Sequence, residues 1–382
     1  MNAEADILSC TVLNQELQED TENIAGEIVY TNNRVIIQAL TTIDLTHIAL
    51  DLELTEGASI SPDPMELADY TMPRSFVVTS EDRNWHKEYI ISIDTMGLPT
   101  RYTFDDYEFD NANKYHIFYS NVATSNTFIK QYIWASGNSA YSISGIAKNA
   151  EEYPTANVPR DDQGRMVQLA TRSTGGWGAL LGMPIAGGNL FIGTFDGSTA
   201  VSTPLKSPHM GLPFAKKPLR MKGEYAYFPG QDFVAGVDSD KRPNIISYKD
   251  TCDIYAVLYE NEGLEQNTLD GSNILTSKNI VAVARLKDIE AIDAEPSAQN
   301  VTLQAFEVEF DYDKTDKAYY PPFLNLGDRE DNCGILRPFD REKSMAYKYN
   351  MTFVCTSSKY AAFFAGAVNS VLFVDNVEII CE

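Results

Sequence analysis

The chain of 382 residues lacks the short patterns by which most metal and catalytic sites are recognised. It has only four histidines and five cysteines, and no HxH, HExxH, CxxC or GxSxG pattern occurs. Zinc sites and serine-hydrolase elbows use such spacings, so neither is indicated. The glycine-rich segment Ser173–Phe195 has no GxGxxG and no closing Lys-Ser/Thr, so a nucleotide-binding loop is not indicated either.

Positive charge is also scarce. Lysine and arginine total 30 against 54 aspartates and glutamates, which gives a formal net charge of −24. Nucleic acids and anionic membrane surfaces are bound mainly through basic side chains, so neither is an expected partner. The most apolar stretch, from Tyr360 to Ile380, is interrupted by polar residues, and we expect no transmembrane segment. Met1–Asp6 shows no signal peptide.

The five cysteines are an odd number, and none has a neighbouring partner motif. We expect buried structural thiols and no catalytic or cofactor role for Cys10, Cys252, Cys333, Cys355 and Cys381.

Apolar and polar residues alternate with a period of two, which is typical of β-strands. The first region predicts strands over Gly26–Leu40, His47–Leu54, Ser75–Ser80 and Lys87–Asp94, and one short helix, Met65–Tyr70. This spacing favours a small immunoglobulin-like β-sandwich. The Gly97-Leu98-Pro99 turn then marks a boundary, so we predict domains at residues 1–97 and 98–382.

The second region also reads as strands, and the fold class predicted is all-β. The predicted strands are Arg101–Phe109, Arg165–Thr171, Asn189–Phe195, Asp253–Tyr259, Asn279–Leu286, Phe306–Asp313, Tyr347–Thr356 and Val371–Ile380. Two long connections, 147–164 and 314–341, are candidate functional loops. Some ten strands with such loops suggest a double-sheet jelly roll.

Two tryptophans are candidate carbohydrate-binding residues. Trp177 lies between Gly176 and Gly178, which cover it little, and a flat indole packs well against the C–H face of a sugar ring. Trp134 precedes Asn138, whose amide can donate to and accept from hydroxyl groups. Tyr227 is a further candidate. For each of them, burial in the core or a place in an ordinary turn is the alternative.

Alternating carboxylates on one strand offer a catalytic alternative. Glu307 and Glu309 share a predicted sheet face with Asp311 and Asp313. Residues two apart on a strand lie roughly 6.5–7 Å apart, which a glycosidase pair of acid and nucleophile or base can use. A solvated outer face of an antiparallel strand explains the same alternation.

A structural Ca²⁺ ion is the one cofactor considered, and otherwise no cofactor is expected. Asp375 and Asn376 near the last strand, with Asp105 and Asp106 near the first strand of the second region, could supply oxygen ligands. This requires the first and last strands of that region to be neighbours. All four residues also suit ordinary turns.

Several phrases of the second region, taken in order, resemble the putative carbohydrate metabolism domain (PCMD) family. They are WASGN (134–138), EEYPT (151–155), GGNLFIGTF (187–195), PFAKKPLRMKGEYAYFPG (213–230), DTCDIYAVLYE (250–260), VAVARL (281–286), SSK (357–359) and SVLFVDNVEI (370–379). The resemblance covers most of Thr100–Glu382. It implies an exported surface lipoprotein of the cell envelope of glycan-degrading gut bacteria, with an immunoglobulin-like first domain and a jelly-roll second domain similar to carbohydrate-binding modules. It carries over no catalytic residue.

The leading hypothesis is a non-catalytic glycan-binding protein of the cell envelope, with Trp134 and Trp177 stacking on a polysaccharide or oligosaccharide and Asn138 binding its hydroxyls. A glycoside hydrolase or polysaccharide lyase using Glu307 and Glu309 is the alternative. A purely structural or assembly protein with envelope protein partners is the third hypothesis.

Overall fold

In the computed structural model, the chain divides into two compact units. The first comprises Met1–Gly97 and Ser120–Tyr132, and the second comprises Leu98–Tyr119 and Ile133–Glu382. The structure describes residues 4–20, 24, 28–31, 33–39, 45–70, 72–95, 98–123, 128–160, 164–313, 336–345 and 347–382.

The strands of the first unit up to Thr95 form two sheets. Its first seven strands are β1 (Ile7–Leu13), β2 (Val29–Thr31), β3 (Arg34–Ala39), β4 (Ala49–Leu54), β5 (Ser59–Ser61), β6 (Arg74–Thr79) and β7 (His86–Thr95). One sheet has the order β2-β3-β7-β6-β5, with β3 and β7 parallel, and the other is the antiparallel pair β1-β4. Val35, Ile91 and Phe76 from the larger sheet pack with Leu50 and Val12 from the smaller one, so the core lies between the sheets.

Five short strands follow in the chain. They are β8 (Arg101–Tyr102), β9 (Tyr107–Phe109), β10 (His116–Phe118), β11 (Ser120–Ala123) and β12 (Phe128–Gln131). Strands β11 and β12 form a hairpin that belongs to the first unit, while β8 to β10 belong to the second. The predicted second domain, 98–382, includes Ser120–Tyr132, which cluster here with the first unit. No periodic signal distinguishes a hairpin that returns to an earlier unit from one that continues the later unit.

Seventeen further strands among the described residues build the second unit. They are β13 (Trp134–Ala135), β14 (Thr155–Pro159), β15 (Arg165–Ala170), β16 (Arg172–Ser173), β17 (Ile185–Ala186), β18 (Asn189–Phe195), β19 (Pro208–Met210), β20 (Leu212–Pro213), β21 (Pro218–Phe228), β22 (Phe233–Val237), β23 (Pro243–Ile246), β24 (Asp253–Glu260), β25 (Ile280–Arg285), β26 (Gln304–Glu309), β27 (Tyr349–Thr356), β28 (Ala365–Ala367) and β29 (Val371–Cys381).

Two large sheets form a sandwich in this unit. A seven-stranded sheet has the order β13-β18-β27-β24-β25, with β19 beside β18 and β20 beside β27. A six-stranded sheet has the order β14-β15-β29-β21-β26, with β8 beside β29. Ile254 and Phe353 from the first sheet share one core with Leu372 and Met221 from the second.

Strand β24 is buried on both faces, which determines where a cavity can form. Ile254, Ala256 and Leu258 point into the core between the sheets, whereas Tyr255 and Tyr259 belong to a second apolar cluster. Successive side chains of a strand point to opposite faces, so this second cluster lies on the outer face of the seven-stranded sheet. Connecting segments must therefore cover that outer face.

Helices are few and short. They are α1 (Asn138–Ser142), α2 (Gly175–Leu180) and α3 (Arg341–Met345), with 3₁₀ turns at Ala150–Glu152, Pro204–Lys206, Glu265–Asn267 and Ala361–Phe363. None of the helices in the described part of the chain has the length and apolar content needed to cross a membrane. The predicted helix Met65–Tyr70 is absent, because the segment instead makes a turn and an isolated bridge from Ala68 to Ile48.

The predicted all-β fold with two sandwich units is confirmed, and the names immunoglobulin-like and jelly-roll stay predictions. The predicted loop 147–164 contains strand β14, and residues 314–335 of the other loop lie outside the described residues. Cys10, Cys252 and Cys355 are free and buried, Cys381 is free and half-buried, and Cys333 lies outside the described residues.

Candidate functional site

A cavity of about 290 Å³ lies on the outer face of the seven-stranded sheet. Its sheet-borne wall carries Phe191 from β18, Tyr255 from β24 and Val354 from β27. Segments from residues 137–144, 174–187, 200–208, 271–276 and 358–364 complete the lining. We call it the Trp177 cavity, after the most exposed aromatic side chain in its lining.

The helix α2 explains why Trp177 points outward. It interrupts a hairpin between β16 and β17. A Cβ atom on Gly178 would lie 2.8 Å from the carbonyl oxygen of Met183 and closer still to the side chain of Thr174, so this position must face inward. The neighbouring Trp177 is then directed away from the hairpin, and its side chain is 62% exposed. The exposure expected from the flanking glycines is present, whereas the sugar-binding role stays a prediction.

Other apolar side chains near Trp177 are also exposed. Ile143, Leu181 and Val201 line the cavity, and each is more than two-fifths exposed. Leu180, adjacent to Leu181 in the chain, is exposed as well. Exposed apolar groups that gather around a concavity are typical of binding surfaces.

Charged groups in the cavity are few. Within the described residues, its lining contains one carboxylate, Asp253, and two cationic side chains, Arg285 and Lys359. Arg285 donates from Nε to Asp253 Oδ1 over 2.9 Å and from Nη2 to Oδ2 over 2.5 Å. Both side chains are largely buried, and the arrangement is a bidentate ion pair. Sequence reasoning missed these three residues, because Asp253 and Arg285 sit at strand ends and no local pattern marks them.

Trp134 is in a different environment from Trp177. Its side chain is 7% exposed and belongs to the core between the two large sheets. Its ring centroid lies 5.0 Å from that of Tyr102, 5.1 Å from that of Phe104 and 6.1 Å from that of Phe353. The expected stacking on a sugar does not fit this packing, because neighbouring rings cover the indole.

Asn138 and Tyr227 are also buried, which is the stated alternative to their ligand-binding role. Asn138 is fully buried, where it donates to the carbonyl oxygen of Thr155 over 2.7 Å and accepts from the Thr155 amide over 3.1 Å. It therefore acts as a side-chain bridge that holds two segments together. Tyr227 is fully buried in the core between the sheets. Neither side chain is available to a ligand in this arrangement.

The alternating glutamates lie on the outer face of the edge strand β26. Glu307 and Glu309 are exposed, and Glu307 accepts from Arg220 on the neighbouring strand over 2.6 Å. Glu307 also lines an open depression of about 440 Å³ together with Glu224 and Glu378. Glu224 is paired with Arg160 and Glu378 with Lys222, so each of these three lining carboxylates has a basic partner.

Arg160 lies beside Asp375, one of the residues that could supply calcium ligands. The calcium site requires the first and last strands of the second region to be neighbours, and they are, since β8 pairs with β29. However, Arg160 Nη1 lies 2.5 Å from Asp375 Oδ2 and 2.7 Å from Glu224 Oε2. Asp105 Oδ1 accepts the backbone amide of Arg165. No cluster of three or more metal-ligating side chains occurs among the described residues, so calcium stays a prediction without geometric support.

A buried polar network fixes one end of the Trp177 cavity. Asp250 Oδ2 accepts from Ser358 Oγ over 2.6 Å, from the Ala367 amide over 2.7 Å and from Ser370 Oγ over 2.7 Å. The backbone amide of Lys359 donates to the carbonyl oxygen of Thr251 over 2.8 Å. Burial raises the pKa of Asp250 to about 6, against the effect of its donors. The network holds the turn that brings Lys359 to the cavity wall.

Two family descriptions match the chain, over two successive stretches of the sequence. Residues 14–93 match "SGBP, N-terminal", and residues 103–380 match "Putative carbohydrate metabolism domain". No curated protein matches the sequence.

Two crystal structures from Bacteroides species resemble this chain. One, from Bacteroides thetaiotaomicron, is described as a putative glycoside hydrolase and matches with 35% identity and a TM-score of 0.79 over 100% of this chain and 98% of its own. The other, from Bacteroides vulgatus, has the same description and matches with 29% identity and a TM-score of 0.59 over 75% of this chain and 100% of its own. The second family match spans well over half of the sequence. The chain belongs to the putative carbohydrate metabolism domain family.

Proposed function

We propose that this protein is a non-catalytic glycan-binding protein of the cell envelope that takes a saccharide into the Trp177 cavity. The observation that carries the proposal is the indole of Trp177, which is 62% exposed in the lining of an aromatic-walled cavity. The C–H face of a pyranose ring packs on such a surface and removes apolar area from water on both sides.

The rest of the lining suits a ligand with apolar faces and polar edges. Tyr255 and Phe191 contribute ring surface, while Ser272 and Asn273, whose side chains also hydrogen-bond to Asp270, add polar atoms to the same lining. Small-molecule sites generally combine an apolar wall with a few placed polar groups, which fix the orientation of the ligand. A saccharide offers matching hydroxyl groups around its ring.

The carboxylate content of the cavity favours binding over hydrolysis. Most glycosidases need two carboxyl groups, one as acid and the other as nucleophile or base. Among the described lining residues only Asp253 is acidic, and both of its oxygens accept from Arg285. A carboxylate held in this way is a poor nucleophile and a poor base, because its charge is already compensated.

The proposed location follows from the family relations and not from a transport signal. The "SGBP, N-terminal" match over residues 14–93 supports an exported protein in which the first unit acts as a spacer. We extend this to a lipoprotein at the outer surface, with an immunoglobulin-like first unit, a jelly-roll second unit and contacts to envelope proteins.

The test compares two exposed tryptophans. Trp177→Ala removes the indole from the cavity, and Trp85→Ala is the matched control, because Trp85 is 63% exposed but belongs to the first unit. We expect affinity electrophoresis on a polysaccharide panel to identify a ligand of the parent protein. Titration calorimetry should then show at least about tenfold weaker binding for Trp177→Ala and unchanged binding for Trp85→Ala.

The same preparations separate the proposal from its alternatives. Equal binding by Trp177→Ala and the parent would place the site elsewhere. Release of reducing ends or unsaturated products, abolished by Glu309→Gln, would instead support the hydrolase or lyase hypothesis. An absence of saccharide binding, with co-purification of envelope proteins, would favour a structural or assembly role.

A further inference from the structure

The Trp177 cavity carries a net positive charge in a protein whose formal net charge is −24. Asp253 and Arg285 neutralise each other through two hydrogen bonds. Lys359 is the charged lining residue that remains. Its ammonium group makes no ion pair with any described residue; its Nζ lies 5.8 Å from the centroid of the Tyr360 ring, and the charges of Asp253 and Arg285 are close enough to act on it.

Other lysines of the second unit have a different environment. Half-buried lysines there face carboxylates: Lys222 lies 2.9 Å from Glu378, Lys343 lies 2.8 Å from Glu260 and Lys348 lies 3.0 Å from Glu262. Lys359 is therefore exceptional among the described half-buried lysines of this unit, because it has no carboxylate partner although acidic groups are abundant. Burial lowers the pKa of Lys359 and the neighbouring Arg285 lowers it further, whereas Asp253 raises it. A bound anion would oppose both effects.

The backbone at Lys359 is held in place, so the ammonium group is not on a free loop end. Ser358, the preceding residue, donates to the buried carboxylate of Asp250. The amide of Lys359 itself donates to Thr251. A side chain on an ordered backbone loses less conformational entropy on pairing than one on a free loop.

We infer that the saccharide accepted by the Trp177 cavity carries an acidic group, a uronate carboxylate or a sulfate ester, which pairs with the ammonium group of Lys359. Arg285 stays bound to Asp253. This inference rests on the proposed function, and it adds the substrate class: acidic glycans are preferred over neutral ones.

The experiment measures binding to three polymers at low and high salt. Polygalacturonate supplies carboxylates, dextran sulfate supplies sulfate esters and dextran is the neutral reference. The full-length protein is compared with Lys359→Gln, with Lys359→Arg, which keeps the charge, and with Lys249→Gln, an exposed lysine outside the cavity lining. Thermal unfolding of each variant shows whether it is folded.

We expect the parent to bind one acidic polymer in a salt-sensitive manner, and the polymer bound identifies the acidic group. Lys359→Gln should bind that polymer about tenfold or more weakly, because a charge-assisted hydrogen bond is lost. Lys359→Arg and Lys249→Gln should retain binding. If Lys359→Gln fails to fold, the salt dependence of the parent and the behaviour of Lys359→Arg still decide the question.

Different results overturn the inference and the proposed function. Binding of neutral and acidic glycans with equal affinity, insensitive to salt and to Lys359→Gln, overturns the acidic preference but leaves a glycan-binding Trp177 cavity. Acidic-polymer binding that Lys249→Gln weakens as much as Lys359→Gln reflects general surface charge and also overturns it. If a wide glycan panel gives no binding, the proposed function itself is wrong.

Discussion

Replacing Trp134 by alanine should lower the free energy of unfolding of the second unit. The indole is 7% exposed and contacts Tyr102, Phe104 and Phe353 in the main core. Truncating a buried tryptophan to alanine costs about 3–5 kcal/mol, from lost burial and from the cavity left behind. This is a large part of the ~5–15 kcal/mol that stabilises a typical domain.

Urea unfolding followed by far-ultraviolet circular dichroism measures this effect without relying on tryptophan fluorescence. With a denaturant slope of about 3 kcal/mol per M, the Trp134→Ala midpoint should fall by at least about 1 M. Trp177→Ala is the matched control, and its exposed side chain should change the free energy of unfolding by no more than about 0.5 kcal/mol. If the Trp134→Ala midpoint equals that of the parent, the indole is not packed in the core. Trp134 would then again be a candidate for stacking on a sugar.

Two further substitutions probe close packing and buried charge. A Cβ atom on Gly188 would lie 2.3 Å from the carbonyl oxygen of Pro154, so Gly188→Ala should lower the melting temperature by several degrees. Gly176→Ala is the control and should leave the melting temperature unchanged, because a Cβ atom there would have nothing within 4 Å. Equal melting temperatures of the two variants would contradict this packing. Burial raises the pKa of Asp250 to about 6, above its value in the unfolded chain. Between about pH 4 and about pH 6, the folded protein therefore holds a proton on Asp250 that the unfolded chain has lost. Relative to Asp250→Asn, the parent should therefore lose up to about 3 kcal/mol of stability as the pH rises from about 4 to about 6, and parallel stability curves would refute the shift.

Local alternation predicts much of the fold. Asn189–Phe195 has the predicted bounds as β18, and the strands predicted at 253–259 and 371–380 differ from β24 and β29 by one residue at an end. These segments are long, β-branched and aromatic, so the period of two is unambiguous. The pattern predicts less well where strands are short: Arg101–Phe109 is interrupted between β8 and β9, where Phe104 adopts a positive φ of 56°.

The site depends on contacts that no local pattern contains. Exposure of Trp177 could be predicted, because its neighbours in sequence, Gly176 and Gly178, determine how little covers it. Burial of Trp134 could not, because the rings around it come from Phe353 and other residues distant in the chain. Likewise, Lys359 gains its significance from Asp253 and Arg285, which reach the same cavity from separate strands.

The hairpin β11–β12 has a consequence for biosynthesis and for dissection of the protein. The chain leaves the first unit after Gly97, returns for Ser120–Tyr132 and leaves again. During translation, the first unit is therefore incomplete until its final strand has emerged, by which time the opening strands of its neighbour have also been made. Dividing the chain at residue 97 alone would leave the β11–β12 hairpin attached to the second unit. Separating the two units therefore requires that this hairpin be removed or transferred to the first unit.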